Sequence, residues 1–135
     1  PGRCQHKYID GCDWYFDVGH NREALQRFVS LLPAVDGRRR AVFAMLADKP
    51  AEQVLADFLP QVDHWYLAGL SGSRGRSAES LARLLPDAAA RRSFARVGEA
   101  ALAACAEQQP GDQVLVFGSF HTVAEAAAAL AVELS

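Results

Sequence analysis

An α/β domain built on a parallel sheet with both faces covered is the fold class this sequence predicts. Strand-like and helix-like stretches alternate from end to end. The strand-like runs are almost continuously apolar, as in strands buried on both faces. The helix-like stretches carry apolar residues along one side at helical spacing. The 135 residues suit one domain, and with half of them apolar and 22% charged the chain can build a packed core.

Taken in order, Trp14 to Val18 is a short apolar run bounded by Asp13 and Gly19. Arg22 to Leu32 reads as a helix, with Leu25, Phe28, Val29 and Leu32 on one face. Arg40 to Leu46 reads as a buried strand. Asp48 and Pro50 mark the next helix start, followed by a stripe of Val54, Leu55, Phe58, Leu59 and Val62. His64 to Ala68 is a third strand, and Gly69 to Gly75 a flexible glycine- and serine-rich loop. Ser77 to Leu85 is a short helix with Ala78, Leu81, Ala82 and Leu85 on one face. Between Ala88 and Val97 the pattern is open: Phe94 to Val97 fits a short strand or the start of the next helix. Val97 to Gln108 reads as helix, Pro110-Gly111-Asp112 as a turn, and Gln113 to Phe117 as the last strand. Thr122 and Glu125 have capping-box spacing, so the final helix is expected to begin near Thr122 and run toward Leu134.

Composition excludes several functions. With 14 Lys+Arg against 16 Asp+Glu the net charge is −2, which argues against a broad nucleic-acid footprint. The one basic run, Arg38-Arg39-Arg40, reads as a solvated strand entrance. No apolar stretch approaches the ~20 residues of a membrane span. No signal peptide precedes the domain, and the sequence opens on Pro1-Gly2-Arg3 without Met, so a fragment or processed piece is expected. Three cysteines, an odd number, fit a reducing cytoplasm better than a disulfide scaffold.

In a sheet of this kind, sites gather where strand ends lead into helix N-termini. Three polar loops stand at such places. Asp17-Val18-Gly19-His20-Asn21 follows the first clear strand. A carboxylate there can accept from a ribose hydroxyl pair, while His and Asn at a helix start can meet phosphate or carboxylate oxygens. The structural alternative makes Asn21 an N-cap, Asp17 a strand-end acceptor and His20 a loop residue. Gly118-Ser119-Phe120-His121-Thr122 repeats the arrangement after the last strand, with an ordinary capped turn as its alternative. Lys49, after the second strand, can pair with a substrate carboxylate or stand solvated at a helix start.

Other constellations fail. Gly69, Gly72 and Gly75 lack the following Gly-Lys-Ser/Thr of a phosphate loop. Cys4, His6 and Cys12 match no common zinc spacing and lack a fourth ligand. Cys105 reads as core and His64 as structural. There is no Gly-x-Ser-x-Gly nucleophile elbow.

Together these residues resemble the C-terminal domain of folylpolyglutamate synthase and the bifunctional dihydrofolate synthase, members of the Mur ligase superfamily. The matching stretches are Pro1-Gly2-Arg3, Phe16 to Asn21, Ala44 to Lys49, Val62 to Tyr66 and Val114 to Val123, in the family's order and over essentially the whole chain. The last is the longest and most specific. The resemblance implies a Rossmann-like three-layer α/β/α domain with a mostly parallel, six-stranded sheet. It also implies a preceding N-terminal ATPase domain, absent here, that holds the phosphate loop and most Mg²⁺ ligands. The enzyme so implied is an ATP-dependent amide ligase of the cytoplasm that phosphorylates the carboxylate of a pteroate or folate and joins it to L-glutamate.

The resemblance assigns roles residue by residue. Arg3 matches the arginine that reaches ATP phosphate, Asp17 the acidic residue on the ribose, and His20 the histidine near phosphates and incoming glutamate. Asn21, Lys49, Ser119 and His121 are candidates for holding glutamate. Two positions depart from the family. Gly19 stands where Ala is usual, which loosens the loop. Arg22 stands where Pro is usual, giving up a fixed φ and adding a charge that opposes the helix dipole yet suits a bound anion. A stand-alone flavodoxin-like binding or signalling module is the alternative from another class, and a cell-wall Mur-type ligase the alternative from the same one.

Overall fold

The computed structural model describes residues 3–70 and 75–135. Pro1 and Gly2 of the first matching stretch, and 71–74 of the glycine-rich loop, lie outside the described residues. The chain runs β1 (Gln5–Ile9), β2 (Cys12–Asp17), α1 (Arg22–Leu31), β3 (Arg39–Phe43), α2 (Ala51–Phe58), β4 (His64–Ala68), α3 (Ala78–Ala82), β5 (Ala90–Phe94), α4 (Val97–Glu107), β6 (Gln113–Phe117) and α5 (Phe120–Leu130). A 3-10 turn, Leu59–Gln61, continues α2.

Among the described residues six strands form one sheet in the order β1-β2-β6-β3-β4-β5. β1 pairs antiparallel with β2, and every other pair is parallel. Strand period decides the layers. Trp14, Phe16, Val42, Ala44, Tyr66, Ala68, Val114 and Val116 pack with α4 and α5. Ala41, Phe43, Met45, Trp65, Leu67, Leu115 and Phe117 pack with α1, α2 and α3 on the other side. The α/β/α sandwich is therefore as expected, and β4 and β6 carry the expected bounds.

The structure corrects the sequence reading at four places. First, a strand, β1, precedes the first one the sequence predicts. It is an edge strand with alternate residues exposed, so it carries no apolar run. Asp10 (φ 48°) and Gly11 (φ 92°) close it onto β2 as a two-residue hairpin, the turn that Asp-Gly favours. Second, β5 spans Ala90–Phe94 and α4 begins at Val97, so neither reading of Phe94 to Val97 holds. β5 is the opposite edge of the sheet, and its sequence, Ala-Arg-Arg-Ser-Phe, is too polar to stand out.

Third, Arg39 and Arg40 are not solvated: each is 7% exposed. They begin β3, a central strand covered on both sides, so their guanidinium groups point into opposite layers and need internal acceptors. Arg40 donates from Nε to Asp112 at 2.9 Å and from Nη1 to the Tyr66 hydroxyl at 2.8 Å. Arg39 donates to Gln113 Oε1 at 2.6 Å and to the Pro33 carbonyl at 2.9 Å. Fourth, α5 begins at Phe120 with Ser119 as its cap, not near Thr122.

Candidate functional site

β2, β6, β3 and β4 all end on one edge of the sheet, with Asp17 opposite Phe117 and Phe117 opposite Phe43. From that edge β6 leads into α5 in one layer, while its neighbours β2 and β3 lead into α1 and α2 in the other. Loops that part in this way open a crevice at the carboxyl ends of the strands. The three polar loops of the sequence therefore lie at this edge.

Asp17 ends β2 and is 1% exposed. Its Oδ1 accepts from Arg3 Nε at 2.8 Å and from the Gly19 N–H at 2.7 Å, and its Oδ2 accepts from the Cys4 N–H at 3.0 Å. Arg3 also donates from Nη2 to the Ala24 carbonyl at 3.1 Å. One buried carboxylate thus ties the segment before β1 to the loop before α1. Arg3 and Asp17, assigned separate roles from sequence, are a single ion pair with the arginine side chain 43% exposed. Burial, and then the Asp17 charge, push the Cys4 thiol above its ordinary value, so this cysteine is held as a thiol.

His20 is exposed beside this pair, and Asn21 caps α1 by accepting the Ala24 N–H at 2.8 Å. Arg22 is not available for an anion. Its Nε and Nη2 hold both oxygens of Asp57 on α2, at 2.7 and 2.9 Å. That fork lowers the Asp57 carboxyl below its ordinary range, hydrogen bonding from Arg22 outweighing burial. Gly19 does more than loosen its loop: a Cβ there would stand 2.9 Å from Asp17 Oδ1 and 3.0 Å from Ala24 Cβ.

On the β6 side, Ser119 is 2% exposed and its Oγ accepts the Thr122 N–H at 3.1 Å, so its hydroxyl caps α5. His121 is exposed, its ring edge-on to Phe120 at 5.9 Å between centroids. Phe120 is 64% exposed, an unusually bare aromatic beside the crevice. Lys49 lies half-buried between β3 and α2, where its carbonyl accepts from Arg76 at 3.4 Å. The structure thus brings all seven candidates to one edge, with His20 and His121 open to solvent and Asp17 and Ser119 enclosed.

The trio of Cys4, His6 and Cys12 is not gathered around a common point. His6 pairs with Asp13 at 2.7 Å, and the Cys12 thiol donates to the Gln109 carbonyl at 3.2 Å. All three cysteines are free thiols. Among the described residues no helix is long and apolar enough to cross a membrane.

Residues 2–120 match the Mur ligase, glutamate ligase domain. The chain belongs to that family. It is 43% identical over 111 residues to the dihydrofolate synthase/folylpolyglutamate synthase of Escherichia coli, and 38% identical over 117 residues to that of Haemophilus influenzae. Each alignment covers 81% of this chain but 26% of the relative, so the chain spans about a quarter of those proteins. Among solved structures it resembles the bifunctional folylpolyglutamate synthase/dihydrofolate synthase of Yersinia pestis at 41% identity and a TM-score of 0.88, over 98% of this chain and 31% of that one. A bifunctional synthase with Mn, AMPPNP and L-glutamate bound aligns at 40% identity, TM-score 0.87, over 98% of this chain and 32% of that one. The E. coli enzyme in complex with DHPP and ADP aligns at 39% identity and a TM-score of 0.84, over 97% and 31%.

Three contacts escaped the sequence reading: Arg3 with Asp17, Arg22 with Asp57, and Thr122 with the Ala44 carbonyl. The first two join residues 14 and 35 positions apart, and no local pattern announces such a pair.

Proposed function

We propose that this chain is the glutamate ligase domain, the C-terminal domain, of an ATP-dependent amide ligase that adds L-glutamate to dihydropteroate, to folates or to both. The 43% identity to a dihydrofolate synthase/folylpolyglutamate synthase carries the reading. Seven polar candidates on one sheet edge support it. In the proposed reaction the acceptor carboxylate takes the γ-phosphoryl group of ATP, giving an acyl phosphate and ADP. The glutamate amine then attacks the acyl carbon, an amide forms, phosphate leaves, and the amine gives up a proton.

Each residue has a part. Arg3, with its side chain 43% exposed, moves its guanidinium from Asp17 to the nucleotide phosphates and offsets charge in phosphoryl transfer. Once Arg3 has moved, Asp17 keeps the Cys4 and Gly19 N–H donors, and the acceptor site that Arg3 frees takes a ribose hydroxyl. His20, exposed at the start of α1, faces phosphate and incoming glutamate. Asn21, Lys49 and His121 hold the amino acid, and Ser119 contributes through the α5 turn that its buried hydroxyl caps. Lys49 supplies a positive point charge, and the starts of α1 and α5 supply backbone N–H groups.

The described residues contain no group of three or more His, Cys, Asp or Glu that could hold a metal ion. No step above runs through a divalent ion. The phosphate loop and most Mg²⁺ ligands belong, on this reading, to an ATPase domain of the parent protein that packs on this edge and closes the site against water. The reading includes a cytoplasmic location and an isolated domain without activity.

The test is glutamate incorporation by the full-length parent, with dihydropteroate and tetrahydrofolate compared side by side. ATP-dependent amide formation with phosphate release is expected, and its absence with both acceptors overturns the reading. Asp17→Ala and His20→Ala are each expected to lose activity by about 100-fold. Full activity in both removes them from the mechanism.

A further inference from the structure

Thr122 is polar, fully buried and in the first turn of α5. Its hydroxyl donates to the Ala44 carbonyl at 2.8 Å, one residue past the end of β3. A hydroxyl has one proton, so in the 2.9 Å contact between Ser119 Oγ and Thr122 Oγ1 the donor is Ser119. Gly118 lies against the same carbonyl. Its φ is +124°, and a Cβ on it would come within 2.0 Å of the Ala44 oxygen. One carbonyl at the end of β3 thus fixes both the closeness of the Gly118 turn and the rotation of the first turn of α5.

Helix capping does not require this hydroxyl. The cap is Ser119 Oγ accepting the Thr122 N–H, which any residue but proline at 122 supplies. What the Thr122 side chain adds is a bond between the first turn of α5, which also carries His121, and the loop that leads from β3 to Lys49. We propose that Thr122 is a positioning residue: its hydroxyl pins the β6–α5 turn to the end of β3 and so sets the grip of the two loops on the amino-acid substrate. It touches neither substrate nor reacting atoms. This inference rests on the glutamate-ligase reading and adds to it a residue that acts through its neighbours.

The experiment uses the full-length ligase with Thr122→Val, which keeps shape and cap, and Thr122→Ser, which keeps the hydroxyl. KM for glutamate, KM for ATP, kcat and Tm are measured for each at saturating acceptor. Thr122→Val is expected to raise the glutamate KM about tenfold, with ATP KM and kcat within about twofold and Thr122→Ser close to wild type. A lower Tm with unchanged glutamate KM is the signature of a purely structural residue and overturns the inference. Thr122→Ala carries the comparison if Thr122→Val does not fold, and failure of both to fold also overturns it. Active wild type beside a variant with wild-type KM sinks this inference alone. Wild type that adds no glutamate to any acceptor sinks the ligase reading, and this inference with it.

Discussion

Asp112→Ala leaves the Arg40 guanidinium buried without its counter-charge. Asp112 is 5% exposed and accepts from Arg40 Nε at 2.9 Å, from the Arg38 N–H at 2.8 Å and from the Gln109 N–H at 2.9 Å. Breaking one side of a buried ion pair costs about 3–5 kcal/mol, since the remaining charge has no water to turn to. Arg40 keeps one neutral acceptor, the Tyr66 hydroxyl, which places the expected loss at about 3–4 kcal/mol. Against a total stability of about 5–15 kcal/mol this is a large shift of the urea midpoint. Trp14 and Trp65 are both fully buried, so tryptophan fluorescence follows the unfolding directly. Arg40→Met added to Asp112→Ala is expected to recover part of the loss, because no charge is then left buried. A single-variant loss below about 1 kcal/mol, or a double variant no better than the single, refutes the reasoning. The carboxyl also gives a pH test. Burial alone would raise it, but the Arg38 and Gln109 N–H groups and Arg40 hold it below its ordinary value of 3.8. The stability it contributes is therefore present above the unfolded value and disappears as pH falls through the folded one. Wild type is expected to lose stability more steeply below that value than Asp112→Ala does.

Three further outcomes follow from particular contacts. Gly118→Ala is expected to destabilise by about 3 kcal/mol or more, seen as a drop in Tm, because a left-handed φ and a 2.0 Å approach to the Ala44 oxygen both exclude a Cβ. Burial, and then hydrogen bonding to Glu107, push the Tyr66 phenol up to about 12, so ultraviolet titration is expected to show one tyrosine that stays protonated after the others ionise. Its folded value is raised, so its contribution to stability is complete below the unfolded value and lost as pH climbs toward 12. Arg22→Ala is expected to weaken the α1–α2 contact at low salt and to match wild type at high salt in the same urea assay, since the Arg22 side chain is 52% exposed.

The central strands were legible because burial on both faces writes itself as a continuous apolar run. His64–Ala68 and Gln113–Phe117 were found with their bounds, and Arg22 was correctly placed at the start of α1. The edge strands were not legible as apolar runs, because one open side permits polar residues, although Asp10-Gly11 is itself a hairpin signal. The polar loops were likewise legible as a set, because parallel strands must all end on one edge. Their internal pairing was not: Arg3 on Asp17, Arg22 on Asp57 and Thr122 on Ala44 join residues far apart in the chain.

Local pattern and motif order, then, determined the alternation of elements, the α/β class, the edge that carries the polar loops and the family. These depend on side-chain period and strand direction, which are properties of short stretches. Only the tertiary structure decided which polar groups are enclosed. Arg39 and Arg40 read as a solvated run until the central place of β3 covered both of their faces. For Asp17 the sequence left a ribose ligand and a strand-end acceptor both open, and the fold brings Arg3, Cys4 and Gly19 onto its carboxylate. Burial is set by what packs from elsewhere in the chain, and a charge buried in that way must find its partners there as well.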